Sequence, residues 1–233
     1  MTNLQIIKEL TNKFGEVDYN LNDNGEIVEI NLYNKDVETK DLELIGGLTS
    51  LEKLYFLSNK ITEIRDLDKL TKLEHLDLSY NQITKIQGLD KLTKLKVIDL
   101  SNNQITKIQG LEKLTNLQTL SLVENQITTI QSLDKLTSLE WLYLSWNQIT
   151  TIQGLDKLTK LSVLNLSYNN ISTIQGLNNL TNLEYLDLMS NQITKIKGLD
   201  GLTKLEQLGL SFNNIPEKEI TQFKTKHSKI KVL

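Results

Sequence analysis

The chain has 233 residues, of which 39% are hydrophobic and 24% charged, and its formal net charge is −3. This composition predicts a globular protein with a sizeable core, and the charge argues against binding to nucleic acid or to an anionic membrane. Cysteine is absent, which excludes disulfides, thiolate zinc sites and cysteine nucleophiles.

The N-terminal segment predicts a helix followed by a hairpin. Leu4, Ile7, Leu10 and Phe14 are spaced as one apolar stripe of a helix over residues 3–14. Two strands are predicted next, around an Asn-Asp-Asn-Gly turn in VDYNLNDNGEIVEINL. The turn shares asparagine positions with a calcium-binding loop, but it lacks the final bidentate glutamate, so a polar turn is the better interpretation. We assign residues 1–26 to an N-terminal cap.

The N-terminal segment also bears on location. Lys8, Glu9 and Lys13 interrupt its apolar residues, so no signal peptide is visible. No stretch of the sequence approaches the roughly 18 apolar residues of a membrane span. A cytoplasmic protein without membrane insertion is therefore expected, with export left open.

From residue 51 onward, a 22-residue unit is repeated eight times. Each unit follows the pattern L-x-x-L-x-L-x-x-N-x-I-x-x-I-x-G-L-x-x-L-T-x, whose positions we number 1 to 22. A degenerate unit over residues 27–50 precedes the eight and has Lys35 where the asparagine belongs. The units open at a constant step with Leu51, Leu73, Leu95, Leu117, Leu139, Leu161, Leu183 and Leu205.

The run L-x-x-L-x-L-x-x-N at this period resembles the leucine-rich repeat. The 22-residue form with ITKIQGLDKLTKL is similar to the repeats of bacterial internalins and of the leucine-rich-repeat regulatory subunit of protein phosphatase 1. The resemblance implies an α/β solenoid in the shape of a curved horseshoe, with a parallel β-sheet on its concave face and short 3-10 or irregular segments on its convex side. It also implies protein binding on the concave face. Whether the partner is a phosphatase is left open.

Elementary physical chemistry leads to the same architecture. The L-x-L alternation predicts a short strand with one buried face, and stacked units can bury their leucines in one continuous column. The asparagine at position 9 follows each strand, where turning backbone leaves polar groups unpaired. Its amide is predicted to be buried, and to bond to the turn and to the adjacent unit.

The C-terminal segment is predicted to close the stack. Pro216 opens a predicted helix that carries Ile220 and Phe223, and the final IKVL is predicted to form a strand. The eight repeats are assigned to residues 51–215 and a C-terminal cap to residues 216–233. All segments, including the helical caps at both ends, are expected to form one continuous domain.

Positions 2, 3, 5, 7, 8 and 10 are expected to face away from the core, on or beside the concave sheet. Both tryptophans and most tyrosines fall at positions 3, 5 or 8, whereas the convex sequence is nearly constant from unit to unit. Variation against a fixed frame favours a surface shaped for one irregular partner; the alternative is drift combined with the strand propensity of aromatics. The predicted partner-binding residues are Tyr55, His75, Asp77, Tyr80, Asp99, Glu124, Glu140, Trp141, Tyr143, Trp146, Tyr168, Tyr185, Asp187 and Phe212.

Charge refines this prediction. Acids dominate the concave positions, where the bases are only Lys53, Lys60 and Lys96, and most other lysines lie on the convex loops. We therefore expect a protein partner with a basic rim and an apolar or arginine-bearing centre, held by aromatic anchors and oriented by acids.

Other functions are weaker interpretations. His75 with Asp77 or Asp99 could do acid–base chemistry, but the sequence offers no accompanying nucleophile, metal-ligand set or phosphate loop. A monomeric, non-enzymatic protein-interaction module without cofactor or metal is expected. The alternatives are carbohydrate or small-ligand binding on the aromatic positions, and a purely structural or engineered repeat scaffold.

Overall fold

The computed structural model describes residues 2–233. Its strands form one sheet in which each strand pairs with its neighbours in chain order. The strands are β1 (Asp18–Leu21), β2 (Ile27–Asn31), β3 (Lys53–Tyr55), β4 (His75–Asp77), β5 (Val97–Asp99), β6 (Thr119–Ser121), β7 (Trp141–Tyr143), β8 (Val163–Asn165), β9 (Tyr185–Asp187), β10 (Gln207–Gly209) and β11 (Lys231–Val232). The helices are α1 (Asn3–Phe14), α2 (Leu42–Ile45) and α3 (Glu217–Lys226), with a 3-10 turn at Thr39–Asp41.

The sheet is parallel from β2 to β11, and only β1 joins it antiparallel. From β3 to β10 the paired residues are 22 apart, so each position of the unit forms a row across the sheet. The middle residue of each of these strands is buried, and the flanking side chains at positions 3 and 5 face outward, except at Gly209 of β10, which has no side chain and is buried. The predicted horseshoe with its sheet on the concave face is confirmed.

The asparagines at position 9 join neighbouring units, as predicted, and all of them are buried except Asn213, which belongs to the last, less covered unit. Asn147 is 8% exposed, and its Nδ2 donates to the carbonyls of Leu122 (2.8 Å), Leu144 (3.2 Å) and Ser145 (3.2 Å). Its Oδ1 accepts from the backbone N–H of Ile127, 20 residues earlier, at 2.9 Å. The same set recurs from unit to unit, and no buried side-chain nitrogen or oxygen in residues 2–233 lacks a partner. Each asparagine therefore closes its own turn and fastens it to the preceding unit.

The N-terminal cap has the predicted elements, but the predicted apolar stripe of α1 is wrong in one residue. Leu4 is 77% exposed, while Ile6, Ile7 and Leu10 are buried. At about 100° per residue, Ile6 lies about 40° from Leu10 around the helix and Leu4 about 120°, so Leu4 falls off the packed face. The hairpin turn is a polar one, since Asn22 Oδ1 accepts the backbone N–H groups of Asn24 and Glu26.

The C-terminal cap covers the stack less completely than the N-terminal cap. Helix α3 has the predicted position, but none of its residues is fully buried, and Phe223 packs only partly against the core. A cleft of about 1100 Å³ lies between α3 and the last units, and apolar and charged residues line it. None of the helices within residues 2–233 combines the length and the apolar character that a membrane span requires.

Candidate partner-binding face

The candidate site is the outward side of the sheet in the units from 51 to 212, which we call the concave face. Its first row is position 3, where Trp141 lies between Thr119 and Val163, and Tyr185 follows Val163. Its second row is position 5, where Tyr55, Asp77 and Asp99 lie side by side on three consecutive strands. The predicted residues at these two positions therefore share one surface, and the leucine between them points to the core.

The third row, position 8, has an unusual backbone. Every residue at this position in the eight units has a positive φ, between 53° and 58°. Left-handed backbone costs an ordinary L-residue roughly 1–2 kcal/mol, and asparagine, present here as Asn102, tolerates it better than most. The remaining occupants are Ser58, Tyr80, Glu124, Trp146, Tyr168, Ser190 and Phe212. The sequence analysis placed four aromatic rings here without recognising this conformation.

These rings are not held in place by burial. Trp146 is 54% exposed, Tyr80 56% and Phe212 78%. Trp146 and Tyr168, from consecutive units, stack with ring centroids 3.9 Å apart and planes 7° from parallel. Trp141, Tyr143 and Tyr185 are half-buried on the sheet beside them. The predicted aromatic residues on this part of the face therefore form one cluster, and Tyr80 and Phe212 lie outside it. The members of the cluster are Trp141, Tyr143, Trp146, Tyr168 and Tyr185.

The acids at position 5 have a structural role that the sequence analysis missed. Asp77, Asp99 and Asp187 each accept the backbone N–H two residues later, at 2.8–2.9 Å. Asn165 does the same for Ser167. Each of these side chains thus turns the chain out of its strand and still presents its other polar atom on the concave face.

The N-terminal part of the face is polar. The rings of Tyr55 and His75 lie 4.9 Å apart at 44°. Burial lowers the pKa of His75 from its ordinary value, against the opposing effect of the Asp77 carboxylate. Burial also raises the pKa of Asp99, while hydrogen bonds from Ser101 oppose that rise. His75 is therefore neutral at neutral pH and presents an uncharged, half-buried ring.

All three concave lysines are engaged by acids of the preceding unit. Lys53 pairs with Glu29 at 3.2 Å, Lys60 with Asp36 at 2.9 Å and Lys96 with Glu74 at 2.6 Å. These pairs are partly exposed, so each stabilises the fold by at most about 1 kcal/mol. Within residues 2–233, no basic nitrogen lies within 4.0 Å of the carboxylates of Glu124, Glu140, Glu184, Asp187 or Glu206. Carboxylates without a basic neighbour therefore lie beside the aromatic part of the face, and Asp77 and Asp99 in its N-terminal part likewise pair with no base of the described residues.

Residues 2–233 contain no cluster of three or more histidine, aspartate or glutamate side chains placed to hold a metal ion. One residue of interest escaped the sequence analysis: Ser190 occupies position 8 between Tyr168 and Phe212. Aligning position 8 across the units as a column would have revealed it.

Comparison with known proteins supports the architecture. The family profile described as Leucine Rich repeats (2 copies) matches residues 49–91, 71–113, 93–135, 115–157, 137–179 and 181–224. The search of curated proteins gives no match.

Many solved structures are similar to this chain, and three of them illustrate the range. An internalin (inlF) from Listeria monocytogenes is 33% identical, with a TM-score of 0.75; the alignment covers 88% of this chain and 60% of that one. Internalin C2 from the same organism is 29% identical, with a TM-score of 0.71 and coverages of 91% and 92%. The ectodomain of the Arabidopsis thaliana receptor kinase GASSHO1/SCHENGEN3 is 28% identical, with a TM-score of 0.66 and coverages of 82% and 25%. This chain thus spans three fifths of the first internalin's length and a quarter of the plant ectodomain's.

The repeat, the in-register parallel sheet, the asparagine ladder and the profile matches agree over most of the chain. The chain belongs to the leucine-rich repeat family, and its repeats are of the internalin type.

Proposed function

We propose that this chain is a non-enzymatic module that binds a protein partner through the concave face. Leucine-rich repeat proteins generally mediate protein–protein interaction. Among the similar structures, the plant receptor ectodomain was solved in complex with Casparian strip integrity factor 2. These two facts support the class of function, and the choice of face rests on this chain's own residues.

The observation that carries the proposal is the set of exposed rings at position 8. Tyr80, Trp146 and Phe212 occupy left-handed backbone that disfavours bulky side chains, and each of them stays more than half exposed. Folding alone would favour asparagine, as in the unit of Asn102. Strained residues that the fold does not require are commonly explained by function, and exposed aromatic side chains are the usual anchors of protein interfaces.

The partner we propose has a basic rim and an apolar or arginine-bearing centre. Aromatic anchors at Trp141, Tyr143 and Trp146 would bury apolar or guanidinium groups. Carboxylates without a basic neighbour, such as Glu140 and Glu184, would steer and orient a basic surface. The chain is proposed to act as a monomer. The expected cytoplasmic location remains a prediction, which cell fractionation with immunoblotting would test.

The experiment begins with in-cell cross-linking and mass spectrometry to identify the partner, followed by calorimetric titration of the purified pair. Replacing Trp141, Tyr143 and Trp146 together by alanine should weaken binding at least about 100-fold, since hot-spot losses reach 2 kcal/mol or more each. Tyr33→Ala, at an exposed tyrosine outside the three rows, is the matched control and should bind as wild type. Equal affinity of the triple variant would overturn the proposal.

The two rival functions predict different results. Carbohydrate binding predicts saturable hits on a glycan array that the triple alanine variant loses. A purely structural scaffold predicts no specific cross-linked partner, and no change in any interaction when the three aromatic residues are replaced.

A further inference from the structure

The third row, position 8, contains a small residue flanked by two aromatic residues. In three consecutive units it reads Tyr168, Ser190 and Phe212. Trp146 covers one face of the Tyr168 ring at 3.9 Å, which leaves the other face toward the unit of Ser190. Phe212 is 78% exposed. A small side chain therefore stands between two aromatic residues of this row, a place that we call the gap.

The spacing of this gap follows from backbone hydrogen bonds. Tyr168 N–H donates to the carbonyl of Met189, and Ser190 N–H donates to that of Ser211, both at 2.9 Å. The backbone thus keeps strand spacing through position 8, about 4.8 Å per unit, so the chains that carry Tyr168 and Phe212 are about 9.6 Å apart. A flat group stacked on both rings needs about twice the 3.9 Å separation of Trp146 and Tyr168. One planar group fits over Ser190.

The charges beside the gap select the kind of planar group. Asp187 is three residues before Ser190. Its Oδ1 accepts the Met189 N–H at 2.9 Å, and its Oδ2 accepts only a long hydrogen bond, at 3.4 Å, from the Tyr185 hydroxyl. Its carboxylate leans over the next unit, where a Cβ added to Gly209 would come within 2.4 Å of Oδ1. Positions 5, 7, 8 and 10 of the three units contain no lysine, arginine or histidine that would compete for it. A positively charged group is therefore favoured over a neutral ring.

We propose that the gap over Ser190 is a slot for one arginine side chain of the partner protein. The guanidinium would stack between Tyr168 and Phe212 and pair with Asp187. Arginine suits the slot better than lysine because its cation is planar and stacks on aromatic faces. This inference rests on the proposed function, and it specifies which chemical group of the partner the concave face recognises.

Short peptides test the slot directly. The probes are acetyl-Gly-Arg-Gly amide and its lysine and phenylalanine counterparts, titrated into the full chain while amide NMR shifts are followed. The arginine peptide should saturably shift the amides of residues 168, 190 and 212, with an affinity at least about fivefold above that of the other two. Equal or tighter binding of the lysine or phenylalanine peptide, or no saturable shift at all, would overturn the proposal.

Filling the slot should abolish the effect. Ser190→Phe should weaken the arginine peptide at least about fivefold, while Ser58→Phe, at the same left-handed position of another unit, should leave it unchanged. Phe212→Asn removes one wall without adding bulk, and it should weaken the peptide even where Ser190→Phe disturbs the fold. Retained affinity in Phe212→Asn and in a folded Ser190→Phe variant would contradict the slot.

Failure of the slot is distinguishable from failure of the proposed function. If the triple alanine variant loses the purified partner while Ser190→Phe keeps it, the concave face binds but the slot is wrong. If both variants keep the partner, the proposed function itself fails.

Discussion

Trp146 and Asn147 are neighbours in one turn, and they differ in every structural respect. Trp146 is exposed, with a left-handed backbone and a ring that stacks on the exposed ring of Tyr168. Asn147 is buried, and its amide makes four hydrogen bonds to two units. The turn therefore separates two positions: position 9 holds the stack together, while position 8 varies and carries the rings that we propose to bind a partner.

The largest effect should come from position 9. Asn147→Ala leaves buried backbone groups of Leu122 and Ile127 without partners, and should lower the free energy of unfolding by about 3–5 kcal/mol. Urea unfolding followed by circular dichroism measures this. A loss below about 1 kcal/mol would mean that water or backbone shifts replace the hydrogen bonds of the asparagine. It would contradict the claim that position 9 holds the stack together.

A smaller effect of opposite sign should come from position 8. Phe212→Asn places a residue that tolerates left-handed backbone where an exposed ring now stands, and should raise the free energy of unfolding by about 0.5–1 kcal/mol. The same urea experiment measures the gain. Tyr80→Asn, in a unit well inside the stack, is the matched control for effects of the chain end and should behave alike. Destabilisation in both variants would show that the rings do serve the fold.

The outward ion pairs should matter least among the charged contacts. Lys96→Met removes the pair with Glu74 and should change the free energy of unfolding by less than about 0.5 kcal/mol, with a difference that shrinks further in high salt. A salt-resistant loss above about 1 kcal/mol would mark these pairs as structural.

The pH dependence gives a further contrast on the outward side. Because burial lowers the pKa of His75 below 6.5, the unfolded chain binds more protons than the folded one between the two pKa values. The stabilisation is present above 6.5 and is lost as pH falls through the lowered pKa. His75→Gln should therefore flatten the fall of Tm as pH is lowered from above 6.5. Asp99, whose pKa is raised from 3.8, acts with the opposite sign in the window just above that value. An unchanged Tm profile in His75→Gln would show that the ring is as solvated in the folded chain as in the unfolded one.

Much of the architecture could be predicted because each unit repeats the same pattern of apolar residues and asparagine. The leucines, the asparagines at position 9 and the sidedness of Trp141 follow from period-two alternation and the constant step. The packed face of α1 was wrong at Leu4 because a single short helix offers little periodicity to average over.

The finer features of the site depend on contacts between units, which one unit's pattern does not contain. The pairing of Lys96 with Glu74 and the stacking of Trp146 on Tyr168 appear only when equal positions 22 residues apart are compared. Asn102 indicates the left-handed backbone at position 8, because asparagine tolerates this conformation better than most residues. Composition alone does not reveal it. The turn-forming role of Asp187 was missed because an acid that faces outward from a strand is first interpreted as a binding residue.

The most direct measurement is the free energy of unfolding of Trp146→Asn, compared with Asn147→Ala at the adjacent position. Loss of the ring stack and relief of the left-handed backbone are of similar size and opposite sign, so Trp146→Asn should lie within about 1 kcal/mol of wild type. A loss above about 2 kcal/mol would show that Trp146 is held for the fold, and would contradict the assignment of the outward rings to recognition.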